Sequence, residues 1–309
     1  MTTVAARRDE YEVSHVASAE RQAIADASQS PYLMNAILAL GASHLTRVSP
    51  DLDYTTEAII HRGKAIQGLS KALAKTNRTF GESDALLASC YALTFQASHM
   101  RDGMFDFITM IRGCALVTMK IMQERSATAF NIGHDIHLRL MSARLDDMQS
   151  LHPAVLNSAA DALVEFQHLM KSCLDVQFHH ALSNVVVALR VSPRGGYFNF
   201  MQLYGVFYSM SHEDFLRFVH PDNMISQLLM AYFICLQFVM APLMKHEWLE
   251  RASQIKPGQV TGMIEWVENV FATLPPEMQV YLQWPKEIIR TVRAELAGQC
   301  IDTAPVLLV

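Results

Sequence analysis

Apolar residues recur at helical spacing along most of the chain. From Pro31 onward, Leu33, Ile37, Leu38, Gly41 and Leu45 follow a period of about 3.6 residues. Ser30 suits an N-cap and Pro31 a first helical position, where its missing N–H costs nothing; Ser49-Pro50 closes the run. A second helix is expected over about 55–75. Its apolar face carries Ile59, Ile60, Ile66, Leu69 and Leu73, and its other face His61, Arg62, Lys64 and Lys71. A polar break over 76–82 leads to Ser83 as the cap of an apolar helix to about Ser98, and two antiparallel helices joined by a short loop are expected here.

After His99-Met100-Arg101-Asp102-Gly103 comes MFDFITMIRGCALVTMKIM, a strongly apolar helix interrupted by Arg112-Gly113. Residues 126–189 read as helical but more amphipathic, and 190–196 (RVSPRGG) as an irregular connector. Aromatics then crowd together at Tyr197, Phe198, Phe200, Tyr204, Phe207, Tyr208, Phe215 and Phe218. Ser211 with Asp214 resembles a capping box. His220-Pro221 opens an uncharged helix, and Pro257-Gly258 and Pro275-Pro276 mark turns. There is no strand pattern of convincing length, no repeat and no dividing linker. The expected architecture is therefore all-α: one large helical domain over 1–309 with a buried apolar central helix and an apolar pocket.

The run Met224–Met244 is 21 residues without a formal charge, long enough to cross a bilayer. Ser226, Gln227, Gln237 and Pro242 interrupt it, and apolar residues surround it on all sides. That pattern is expected of a helix in the centre of a large α-helical core, so no membrane span is expected.

Composition narrows the class further. The chain has 309 residues, 51 % hydrophobic and 18 % charged, which excludes a disordered chain. A net charge of −5 with scattered Lys and Arg gives no basic stripe for nucleic acid. Five cysteines, Cys90, Cys114, Cys173, Cys235 and Cys300, are odd in number and far apart, which suits reduced thiols inside a cell. The segment MTTVAARRDEYEVSH has no apolar stretch of a secretory signal. Eighteen methionines supply flexible thioethers suited to irregular apolar cavities.

Catalytic chemistry is sparse. His134 and His137 could share a helical face, but no third ligand stands at a zinc spacing. His179 and His180 are adjacent, so their rings diverge. Asp146-Asp147 lacks the third carboxylate of an aspartate-rich magnesium motif, and Asn157, Asp161 and Glu165 form a stripe equally expected of a solvated face. No nucleophile elbow or phosphate loop is present. No metal and no cofactor are expected. His99, Arg101, Asp102 and Asp106 form the densest polar group, suited first to capping. Arg112, inside an apolar helix, needs a carboxylate or carbonyl partner and reads as a clamp or as a polar anchor in a pocket.

Four segments resemble one family. SPYLMNAILALGASHLTRVSP (30–50), DGMFDFITMIRGCALV (102–117), MISQLLMAYFICLQFVMAPLMKHEWLE (224–250) and LPPEMQVYLQWP (274–285) follow in the order of the fungal-specific regulatory domain of Zn2Cys6 transcription factors. The pattern is similar to the sterol uptake control protein subfamily, whose C-terminal domain is a helical sensor with an apolar pocket. The resemblance spans about residues 12–295. The binuclear zinc cluster needs six closely spaced cysteines and a basic segment, which this sequence lacks, so direct DNA binding through this chain is not expected. The chain is either a regulatory part of a longer factor or a stand-alone relative without the cluster.

The resemblance implies a sensor of a sterol-like, polyketide-like or other apolar small molecule, working in the nucleus or cytoplasm. Its expected contacts are Phe105, Phe107, Arg112, Tyr197, Phe198, Tyr204, Phe207, Tyr232, Phe233, Leu236 and Met240. The alternative is an enzyme of natural-product biosynthesis, a cyclisation or rearrangement catalyst using His99, Asp102, Asp106 or Arg112. A third reading is an interaction module that forms a homodimer.

Overall fold

A computed structural model describes residues 30–49, 51–75, 78–124, 128, 130, 134–146, 148–244 and 257–298. Every regular element among them is helical, as the all-α expectation requires. Within the span expected to form one domain, two compact units are distinguished, Met1–Gly133 and His134–Val309.

The first unit contains α1 (Pro31–Val48), α2 (Thr55–Leu73), α3 (Phe80–Ala97) and α4 (Met104–Gln123). Ser30 precedes Pro31 as expected. The start of α3 differs from the sequence reading. Thr79, not Ser83, is the N-cap; its hydroxyl accepts from the Glu82 N–H at 3.3 Å while the Thr79 N–H donates to Glu82 at 2.8 Å, a reciprocal capping box. Ser83 lies one turn further in and is buried.

The inward faces of α1 and α2 are also not the ones their large apolar residues suggest. Leu33, Ala36, Ala39 and Ser43 are buried on α1, and Ala58, Arg62, Ala65 and Leu69 on α2. Small side chains let the two helix backbones approach closely, and Gly68 sharpens this: a Cβ there would stand 2.7 Å from Tyr32 Cβ. Ile37, Leu38, Leu45, Ile59, Ile60 and Ile66 are therefore exposed. α3 supplies the core of the unit through Leu86, Leu87, Cys90 and Leu93, packed with Val117 and Ile121 of α4.

The second unit contains α5 (His134–Leu145), α6 (Pro153–Glu165), a single 3-10 turn (Gln167–Leu169), α7 (Cys173–Val191) and α8 (Pro193–Ser209). It continues with α9 (His212–Phe218), α10 (Met224–Val239), α11 (Ala241–Met244), α12 (Pro257–Thr273), a 3-10 segment (Pro276–Leu282) and α13 (Gln283–Leu296). The expected connector at 190–196 is almost entirely helix. Ser192 alone joins α7 to α8: it caps α8 by accepting from the Gly195 N–H at 3.0 Å, with Pro193 at the first position. Gly196 lets the helices close, since a Cβ there would lie 2.1 Å from Leu189 Cδ2. Pro257 likewise begins a helix rather than a turn.

The uncharged run 224–244 divides after 16 residues, with Met240 capping α10 before α11. α10 is buried on nearly every side, from Leu228 through Leu236. Sixteen residues rise about 24 Å, short of a hydrocarbon core. Among the described residues no helix is long and apolar enough to cross a membrane.

Candidate functional site

Arg62 organises the densest polar cluster of the first unit. It lies on the inward face of α2, in step with Ala58, Ala65 and Leu69, where short alanines leave room for its long side chain. Its Nη1 donates to Gln96 Oε1 at 2.5 Å and reaches the Leu93 carbonyl at 3.5 Å. Its Nη2 stands 3.2 Å from Asp106 Oδ2. Gln96 Nε2 passes the chain of bonds to Ser43 Oγ at 3.1 Å. All four helices thus contribute one side chain each: Ser43, Arg62, Gln96 and Asp106.

Burial lowers the Arg62 pKa from its ordinary value, and the charges of Asp106 and Asp102 oppose that shift. The group stays cationic because an arginine starts so high. The sequence reading placed Arg62 on a solvent face, and this is corrected: it is buried. A neutral environment of alanines and a carboxylate on the facing helix are what hold it inside.

The residues suggested for catalysis sit beside this cluster. His99 is buried at the end of α3; its Nδ1 is 2.8 Å from the Phe95 carbonyl, which makes that nitrogen the protonated one. Arg47 Nε donates to the His99 carbonyl at 2.8 Å, and the His44 ring meets His99 edge-on at 5.5 Å. Asp102 is exposed, and Asp106 is occupied by Arg62. Arg112 is half-buried further along α4, and desolvation lowers its pKa. The arrangement ties helices together through a buried cation.

The eleven residues suggested for ligand contact are divided between the units. Phe105, Phe107 and Arg112 belong to α4 of the first unit, with Phe107 buried and the other two half-buried. The other eight lie in the second unit. Tyr197, Phe207, Tyr232, Phe233, Leu236 and Met240 are buried, while Phe198 and Tyr204 are half-buried. Phe233 is a hub: Phe200 stacks on it at 5.6 Å, and Tyr204 and Phe207 meet it edge-on at 5.5 and 5.9 Å. Tyr232 stacks on Trp284 at 5.2 Å and donates its hydroxyl to the Tyr281 carbonyl at 2.7 Å.

Phe218, read in the aromatic crowd but not as a contact, helps complete this shell, together with Phe166, Phe178 and Trp284, which sequence reasoning did not single out. Their signal was present only as isolated aromatics on amphipathic helices. Among the described residues of this unit, two buried donors have no acceptor: Trp284 Nε1 and Gln237 Nε2.

Other polar motifs resolve as exposed side-chain pairs or, at His179, a buried contact to a backbone carbonyl. Asn157 Oδ1 accepts from Arg190 Nε at 2.9 Å, and Asp146 pairs with Arg194 at 2.7 Å. His179 is buried against the Leu163 carbonyl at 2.8 Å, whereas His180 is exposed, so the neighbouring rings diverge as expected. The side chains of His134 and His137, and Asp147 and Cys300, lie outside the described residues. Among the described residues no group of three His, Cys, Asp or Glu gathers to hold a metal ion. Depressions of about 490 and 620 Å³ open beside Arg217 and His220 and beside Phe271 and Arg293. None of the eleven suggested contacts lines either.

The outward face of α1 is a further feature. Met34, Leu38, Gly41, Leu45 and Val48 alternate in steps of four and three residues, and all are exposed. This is the spacing of a helix–helix seam. Gly41 has open space where a side chain would stand. α2 adds Ile59, Ile60 and Ile66 as exposed apolar side chains.

Comparison with known proteins gives a family match over most of the first unit and the start of the second. Residues 22–143 match the family described as fungal specific transcription factor domain. The expected resemblance is thereby shown for that stretch. No curated protein and no solved structure matches the chain.

Proposed function

We propose that the chain is a regulatory module of the fungal transcription-factor type that acts by pairing with a second copy of itself. The exposed seam along α1 carries this reading. Apolar patches of this kind mark interaction sites on otherwise polar surfaces. α1 has no acidic residue, and its single arginine, Arg47, turns toward the His99 carbonyl. A second α1 therefore meets no opposed like charge, and Gly41 allows close approach at the centre of a two-fold contact. Such a module works in the nucleus or cytoplasm and has no direct contact with nucleic acid through this chain.

Sedimentation velocity across a concentration series tests the pairing. A dimer that dissociates on dilution is expected, and L38E together with L45E converts it to monomer without loss of helicity. A wild-type chain that remains monomeric at high micromolar concentration refutes it.

A second reading, sensing of an apolar small molecule, is favoured by the two buried donors of the second unit. Trp284, stacked on Tyr232, and Gln237, between buried Leu236 and Phe238 on α10, each hold a buried side-chain N–H without a hydrogen-bond partner. A sterol-like or polyketide-like molecule carrying a hydroxyl or carbonyl would supply an acceptor for either donor. Native mass spectrometry of the purified chain, followed by organic extraction, tests this reading. A co-purifying apolar compound whose retention falls in W284F supports it; a bare chain whose melting temperature ignores added sterols counts against it. An enzymatic role through His99, Asp102, Asp106 or Arg112 draws no support from Asp106, which is committed to Arg62.

A further inference from the structure

α12 and α13 frame the depression of about 620 Å³ in the second unit. Three cations of α13, Lys286, Arg290 and Arg293, line it at steps of four and three residues, which places them on one helix face. They span about 10.5 Å along the helix axis. This concentration of positive charge stands in a chain whose net charge is −5. Ile289 of the same helix and Phe271 of α12 supply an apolar floor between the cations.

The three charges differ in what already holds them. Arg293 donates from Nε and Nη2 to the two carboxylate oxygens of Glu268, each at 2.7 Å, so this wall of the depression is a closed bidentate pair. Lys286 Nζ donates to Gln279 Oε1 at 3.0 Å and stands 5.7 Å from the centre of the Phe271 ring. Both partners are neutral, so the ammonium keeps its full charge at the rim. The Arg290 side chain is 74 % exposed, with Glu287 at 3.7 Å, beyond hydrogen-bonding distance. An exposed pair of that kind holds its partner weakly. Lys286 and Arg290 are therefore the two cations with charge to offer, and Phe271 and Ile289 lie beside them.

We propose that this depression is a docking groove for an acidic amphipathic helix of a partner protein. Carboxylates one turn apart on such a helix match the one-turn spacing of Lys286 and Arg290, since both helices share the same rise. Leucine or phenylalanine side chains on the same face of the partner cover Phe271 and Ile289. A small anion would use the charges and leave the apolar floor bare. A nucleic-acid strand would bring phosphates against Glu268 and likewise leave the floor uncovered. The groove belongs to the second unit and uses no residue of the α1 seam, so it stands or falls apart from self-pairing.

The test uses the full chain and a fluorescein-labelled synthetic helical peptide with aspartates and leucines recurring every three to four residues on one face. Fluorescence anisotropy is expected to give a Kd on the order of 10 µM, typical of a small transient interface. Affinity should fall roughly tenfold in K286E/R290E, in a peptide with every aspartate replaced by asparagine, and in one with every leucine replaced by serine. It should also fall as sodium chloride rises from about 50 to about 300 mM. L38E together with L45E on α1 should leave it unchanged. Far-UV circular dichroism checks that K286E/R290E keeps wild-type helicity. A benzophenone on the peptide should crosslink wild-type chain within α12 or α13, a result that needs no variant. Absence of binding at about 100 µM peptide, equal binding by K286E/R290E or by either altered peptide, a crosslink elsewhere, or tighter binding of a single-stranded oligonucleotide of equal charge overturns the proposal.

Discussion

Arg62 Nη2 and Asp106 Oδ2 are 3.2 Å apart, with the arginine side chain 8 % exposed and the aspartate 47 % exposed. The pair is asymmetric. Removing the carboxylate leaves a buried cation still bonded to Gln96, with water able to reach the aspartate side. Removing the cation leaves Gln96 without its donor and opens space among the alanines. D106N is expected to cost about 1–2 kcal/mol, below the range for a fully buried pair because of solvent screening. R62A is expected to cost more, about 2–4 kcal/mol. Urea unfolding measures both, and a D106N loss equal to or above that of R62A contradicts the asymmetry.

The α3 capping box predicts an acid-sensitive contribution. Glu82 is held at about 2, below its ordinary value of 4.5, first by the hydrogen bond from Lys75 and next by the Thr79 N–H. A lowered folded-state pKa contributes stability that is fully present above the unfolded value and is lost as pH falls from about 4.5 toward about 2. The melting-temperature gap between wild type and E82Q should therefore be larger near pH 6 than near pH 3. Both side chains are solvent-accessible, so the gap is small. T79A removes the other half of the box and should cost about 1 kcal/mol. A gap that widens with acid contradicts the assignment.

Tyr232 joins α10 to the 3-10 segment through one hydroxyl. Y232F should cost about 1 kcal/mol by guanidinium unfolding, since the ring keeps its stacking on Trp284 while the Tyr281 carbonyl loses a donor. Burial raises the Tyr232 pKa well above that of a free phenol. Alkaline titration of the folded chain should then show one tyrosine fewer among those ionising at wild-type pH values in Y232F only after unfolding. A difference in the folded titration below the unfolding transition contradicts the burial.

Two glycine substitutions should act in opposite directions. In G196A the new Cβ would fall 2.1 Å from Leu189 Cδ2 and 3.0 Å from the Leu189 Cα, so α7 and α8 must separate. A loss of about 1–3 kcal/mol is expected. In G113A the new Cβ meets open space inside α4, and a gain of about 0.5–1 kcal/mol is expected from helix propensity. Differential scanning calorimetry ranks the two against wild type, and a stabilised G196A would contradict the close approach.

Most of the helices were legible from periodicity and capping residues. Ser30-Pro31, Ser211 with Asp214, and the buried run of α10 carry their signals in a few neighbouring positions, and local backbone chemistry acts over that same range. The aromatic crowd after Tyr197 was likewise readable as interior. Errors arose where a local signal had two outcomes. Ser83 and Thr79 are both good caps, and the reciprocal bond with Glu82 selects Thr79. The glycines of 190–196 read as a break, but Gly196 serves close packing on Leu189 within a helix.

By itself the sequence determined helical class, approximate helix positions, the burial of α10 and the family resemblance now shown for 22–143. Tertiary structure alone decided which faces of α1 and α2 turn inward and that Arg62 is buried. The physical reason is that hydrophobicity ranks faces one helix at a time, whereas packing is settled between helices. Alanine faces permit close approach and a facing carboxylate permits a buried cation, and both depend on a partner distant in sequence.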